Sequence, residues 1–126
     1  MAAIKPDIMA SLRLYTTAEG GRQGPTPPDK LGCPFEFQGE LFDCRLLLDE
    51  TGPLKPGAKA TVPILFLRPD LIKDRLQIGS RFTLWEMGTI AEGVVKEIVA
   101  FLDSTLKKKP IKWEARELGD GEKTGS

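Results

Sequence analysis

Residues 90–101 read IAEGVVKEIVAF, and two periods fit them. As a helix, Val94, Val95, Ile98, Val99 and Leu102 recur at spacings of three and four. As a strand, Val95, Glu97 and Val99 alternate with Val94, Lys96 and Ile98. Periodicity by itself leans slightly toward the helix. Gly93 is unfavourable inside a helix, and β-branched side chains prefer a pleated strand. The rest of the chain then settles the choice, because every segment before this one reads as a strand.

IMASLRLY at 8–15 places Ile8, Ala10, Leu12 and Leu14 on one face and Ser11 and Arg13 on the other. FEFQGELFDCRLLL at 35–48 alternates again: Phe35 and Phe37 share a face, Gly39 marks a bend, a bulge or a tight turn, and Leu41 to Leu48 resumes. DETGPLKPG is a loop, and AKATVPILFL at 58–67 returns to apolar and β-branched residues, with Pro63 suggesting an edge or bulged position. RPDLIKDRLQIGS is a connector, RFTLWE at 81–86 a strand, and MGT turns the chain into a last strand over 90–100. A short all-β chain with turns at regular intervals closes into a sandwich or small barrel, because closure removes exposed edges. Residues 1–102 therefore form one domain. Residues 103–126, ending KKKPIKWEARELGDGEKTGS, lose periodicity and read as a polar, flexible tail with Ile111 and Trp113 as anchors.

Composition narrows the function. Of 126 residues 40% are hydrophobic, enough for a single core without metal or disulfide. Lys plus Arg equals Asp plus Glu at 18 each, so no global field draws nucleic acid or an anionic membrane. No apolar run approaches spanning length, and the expected location is the cytoplasm. Cys33 and Cys44, without zinc spacing, read as free thiols. The chain has no histidine, which excludes Ser-His-Asp and Cys-His nucleophile pairs, HExxH sites and His-ligated zinc. The acid pairs Glu36/Glu40 and Asp49/Glu50 lie beside turn residues and read as solvated. AEGGRQGPTPP at 18–28 lacks the GK[ST] and the following helix of a phosphate loop, so Gly20 and Gly21 read as a turn with φ > 0. We therefore expect no enzyme, no catalytic residue, no metal and no cofactor.

Taken in order, LRLYTTAEGGRQGP (12–25), GCPFEF (32–37), LKPGAKATVPILFLRP (54–69) and LQIGSRFTLWEMGTIAEGVVKEI (76–98) resemble the C-terminal β-barrel, the third domain, of bacterial elongation factor Tu. The resemblance runs over roughly residues 5–100 and rests most on the EGGR turn and on the closing G-x-RF-x-L, turn, G-T-x-A-x-GVV pattern. It implies a small closed six-stranded antiparallel barrel. In that family the third domain helps to hold the T-stem backbone of tRNA and contacts the nucleotide-exchange factor and the other two domains. Nothing here resembles the GTPase domain or the second barrel, so neither GTP hydrolysis nor aminoacyl-tRNA delivery is implied. Where the family continues EGGR with a His-Thr pair this chain has Gln23-Gly24. Its next strand opens Gly32-Cys33-Pro34, without the family's arginine, and its closing turn is shortened to Met87-Gly88-Thr89.

The candidate binding surface is Gly20, Gly21, Arg22 and Gln23, together with Lys107, Lys108, Lys109 and Trp113. Arg22 has two readings: a bidentate partner for phosphate or carboxylate, or a structural arginine that stacks over the barrel mouth or pairs with a nearby acid. Trp85 reads as core or rim packing. The expected function is a non-catalytic protein-interaction module related to a translation fold. The alternative is an accessory protein that binds the tRNA stem, with RNA held only at the weak, non-specific level. Neither a membrane nor a nucleotide is expected as a partner.

Overall fold

Alternation along each segment fixes which side chains face inward, and the computed structural model, which describes residues 5–99, carries that alternation around a complete circle. The strands are β1 (Ile8–Leu14), β2 (Lys30–Phe37), β3 (Glu40–Leu47), β4 (Lys59–Phe66), β5 (Arg81–Trp85) and β6 (Thr89–Ile98). They close in the order β1-β4-β3-β2-β5-β6, every neighbouring pair antiparallel. As far as Ile98 the ambiguous run at residues 90–101 is therefore strand, and β6 closes the ring between β5 and β1. One end of the barrel, here the lower, carries the β2–β3 hairpin, the start of β1 and the end of β6. The upper end carries the EGGR turn and the β5–β6 hairpin.

The core follows from the inward phase. Ile8, Ala10, Leu12 and Leu14 of β1 meet Val62, Ile64 and Phe66 of β4, and Phe35 at the centre stacks on Phe82 (4.1 Å between centroids) and meets Phe66 edge-on (4.8 Å). Each of the larger buried side chains, leucine, isoleucine, valine or phenylalanine, contributes roughly 1.5–3 kcal/mol of transfer free energy. Gly93 faces the same interior from β6. A Cβ there would lie 2.5 Å from Phe82 Cζ and 2.7 Å from Leu12 Cδ2, so the missing side chain is the space those two occupy. At the lower end the connector after β4 does more than connect. Ile72 and Leu76 are buried, and Arg75 lies over the Phe37 and Phe42 rings while donating to Glu40 Oε1 (2.9 Å) and Gln38 Oε1 (3.0 Å). The buried Asp7 carboxylate accepts the Phe66 N–H (2.8 Å), and its carbonyl accepts the Val99 N–H (2.8 Å), which ties β1, β4 and the end of β6 together.

Two prolines end hydrogen-bond ladders. The Leu67 N–H donates to Asp43 O (3.1 Å), which makes every second β3–β4 pair a hydrogen-bonded one and would call, after Leu65, on the N–H of residue 63. Pro63 has none, and the β3–β4 pairing stops at Ile64. Pro63 thus sits on a stretch of β4 paired with β1 alone, a local edge on the β3 side with no bulge. The same parity aims the position of Pro34 at β5, and the β2–β5 ladder is confined to Phe35↔Leu84 and Glu36↔Thr83. Residues 30–34 nonetheless pair with β3, so β2 starts five residues earlier than the alternation from Phe35 suggested. Gly39, with Gln38, makes a tight two-residue turn at φ 82° and 53°. Residues 103–126, read from sequence as a tail, lie outside the described residues. Among the described residues no helix is long and apolar enough to cross a membrane.

Candidate functional site

Thr16 caps a single 3₁₀ turn, Thr17–Glu19, by a reciprocal pair of bonds: its Oγ1 accepts the Glu19 N–H (3.1 Å), and Glu19 Oε1 accepts the Thr16 N–H (2.8 Å). Gly20 leaves the turn at φ 97°, as expected of that position. Gly21 does not share the positive φ. It is required for another reason: a Cβ there would sit 2.3 Å from the Tyr15 carbonyl oxygen. Arg22 then folds back on its own loop, donating from Nε to Gly24 O (3.3 Å) and from Nη2 to Pro25 O (3.2 Å), while Nη1 pairs with the Glu86 carboxylate of the β5–β6 hairpin. Gln23 is exposed beside it. The turn thus brings Gly20, Gly21, Arg22 and Gln23 together at the upper end with the arginine's charge matched and its donors engaged. Lys107, Lys108, Lys109 and Trp113 lie outside the described residues. Trp85, at the end of β5, is partly exposed at the rim.

A concave surface not named by the sequence reading lies on the barrel wall next to this turn. Its geometry comes from register. Lys59↔Arg13, Arg13↔Glu92, Glu92↔Thr83 and Thr83↔Glu36 are successive facing pairs, so one outward row crosses β4, β1, β6, β5 and β2. Ser11↔Val94 and Val94↔Arg81 form a second row, two residues along each strand. Between the rows runs a groove of about 540 Å³, floored by the chain at Leu12, Gly93 and Phe82. Ser11, Thr83 and Val94 are short, which leaves the space open; Arg13, Lys59, Arg81, Glu36 and Glu92 wall it with both signs of charge.

The charges are not equally committed. Arg13 Nη1 donates to Glu19 (3.0 Å) and its Nε to Glu92 (3.4 Å), so the groove wall and the EGGR turn share one ion-pair cluster. Glu92 also accepts from the Tyr15 hydroxyl (3.3 Å). The Thr16 N–H, and after it the Arg13 guanidinium, hold the Glu19 carboxyl below its ordinary range. Arg13 is raised in turn by Glu19, and burial followed by the Glu92 charge raises Tyr15. Glu36 accepts a short bond from the Thr83 hydroxyl (2.6 Å). Lys59 and Arg81, by contrast, make no hydrogen bond or ion pair among the described residues, and they line the groove from β4 and β5.

Among the described residues no three His, Cys, Asp or Glu side chains are grouped to hold a metal ion. No protein-family model matches the chain, and no curated protein matches it closely enough to count as a relative. The groove residues escaped the sequence reading because alternation says that Arg13, Thr83 and Glu92 point outward but not which of them stand side by side. That information lies in the register between strands distant in sequence.

Proposed function

We propose that this chain is a non-catalytic barrel of the elongation factor Tu third-domain type that acts as a cytoplasmic protein-interaction module. The partner presents an extended, acidic segment that lies in the groove across β4, β1, β6, β5 and β2. The observation that carries this reading is the pair of uncommitted cations, Lys59 on β4 and Arg81 on β5, in a groove where Arg13 and Glu92 are already paired and Glu36 accepts from Thr83. The groove crosses the strands on the outer wall, so recognition there runs through side chains and not through strand addition. Five strands at about 4.8 Å spacing span roughly 19 Å between the outermost, the reach of about six extended residues. Arg22 weighs against the RNA alternative, since its donors serve its own loop and Glu86.

The test is a quantitative affinity capture from the native cell with wild type, the Lys59→Glu/Arg81→Glu double variant and a Lys55→Glu control. The expected result is one or more proteins retained by wild type and control and lost by the double variant. Equal capture by all three sinks the groove. Labelled tRNA titrated across a salt series should bind at only about 10⁻⁴ to 10⁻⁶ M near physiological salt, the range of non-specific association. Sub-micromolar affinity that disappears in Arg22→Ala with the fold intact would install the RNA reading instead.

A further inference from the structure

Cys33 and Cys44 face each other directly across β2 and β3, and both point into the core. The Leu48 N–H donates to Asp29 O (2.8 Å), which sets the parity of this hairpin and makes Cys33↔Cys44 a hydrogen-bonded pair. The α-carbons of such a pair stand about 5.5 Å apart, within the span that a disulfide bridges. The Cys44 thiol already leans across the pair to donate to Cys33 O (3.3 Å). On its other side Cys33 has no strand partner, because Pro34 stops the β2–β5 ladder at Phe35.

We propose that Cys33 and Cys44 are a redox-active dithiol, oxidised by a small disulfide such as glutathione disulfide to a cross-strand bond that ties β2 to β3 beside the open β2–β5 seam. Cys33 reacts first. It is 5% exposed and borders the seam, where local opening admits the reagent, whereas Cys44 is 0% exposed. The Cys33 thiolate attacks one sulfur of glutathione disulfide, forming a mixed disulfide and releasing one glutathione thiolate, which takes up a proton. The Cys44 thiol then loses its proton to solvent and attacks the Cys33 sulfur, expelling the second glutathione. The protein loses two S–H bonds and gains one S–S bond; the oxidant does the reverse. The interaction with the neighbouring Cys33 side chain, and after it burial, push the Cys44 thiol well above its ordinary pKa, which suits the second role, since a protonated thiol waits until a mixed disulfide is beside it. Facing β-carbons in a strand pair are farther apart than those of a relaxed disulfide, so the bond is strained and readily reduced, as a reversible switch requires.

The experiment exposes the native full-length chain to glutathione disulfide, quenches by alkylation and reads intact mass and far-UV circular dichroism. Wild type should lose two hydrogens, take no alkyl group, keep its sheet spectrum and return to the dithiol with dithiothreitol. Cys44→Ser, or Cys44→Ala where serine disturbs the site, should stall as a glutathione adduct on Cys33. Cys33→Ser should leave Cys44 modified at least about tenfold more slowly. The proposal is overturned if native wild type keeps two alkylatable thiols under conditions that oxidise the denatured chain. Loss of the sheet spectrum in step with oxidation, or modification of Cys44 in Cys33→Ser at the wild-type rate, overturns it equally.

Discussion

Gly93→Ala should destabilise the barrel, against the usual benefit of replacing glycine in a strand. That benefit, from a less flexible unfolded chain, is about 0.4–1 kcal/mol where the new side chain fits. Here it does not. The added methyl would stand 2.5 Å and 2.9 Å from two atoms of the Phe82 ring and 2.7 Å from Leu12 Cδ2. The ring cannot swing freely, because it stacks on Phe35 at 4.1 Å, and Phe35 is held in turn by Phe66. Overpacking of this kind costs about 1–3 kcal/mol, leaving a net loss of about 1–2 kcal/mol and a fall in Tm of roughly 5–10 °C for a domain of this size. Thermal and urea unfolding followed by circular dichroism measure it. Phe82→Leu in the Gly93→Ala background should recover part of the loss, a coupling of about 0.5 kcal/mol or more in a double-mutant cycle. Gly24→Ala is the control: its Cβ meets nothing within 4 Å, and it should be neutral or slightly stabilising. If Gly93→Ala unfolds at or above the wild-type temperature, the account of the core around Phe82 is wrong.

Asp7→Ala leaves the Phe66 N–H without its carboxylate acceptor in a buried setting, and chemical denaturation should show a loss of about 1–3 kcal/mol. Arg22→Ala releases Glu86 and the Gly24 and Pro25 carbonyls; it should lower stability by up to about 1 kcal/mol and leave the weak tRNA affinity unchanged within about twofold in the same titration. Glu19 is held below its ordinary pKa, so its contribution to stability is complete above the ordinary carboxylate range and is lost as pH falls through its folded value. Stability measured against pH should therefore fall less steeply in acid for Glu19→Gln than for wild type.

The inward faces were legible because alternation is a local property: Ile8, Ala10, Leu12 and Leu14 could be assigned from eight residues. Strand over helix at 90–98 was legible too, once Gly93 was weighed, although its actual role of making room for Phe82 and Leu12 was not. What the sequence hid was pairing. Pro63 was noticed as a ladder breaker, but which neighbouring strand loses its pairing there depends on the strand order around the barrel. Lys30–Pro34 lacks clear alternation because glycine and proline interrupt it, and its strand character comes from β3. The sequence reading took the candidate turn as a unit, while the partner of Arg22, 64 residues away, was beyond any local reading. The groove is the extreme case, since its walls come from five strands whose order around the barrel is not their order in the chain.

The bond between the Val99 N–H and the Asp7 carbonyl has a mechanical meaning. The chain enters and leaves the barrel side by side, at one end of two adjacent antiparallel strands. A force applied between residues 7 and 99 therefore loads the β1–β6 hydrogen bonds one rung at a time, from Ile8↔Ile98 toward Leu14↔Ala91, instead of shearing them together. Pulled in that direction the barrel should unzip at low force, and pulled across residues 22 and 99, from one end to the other, it should resist far more.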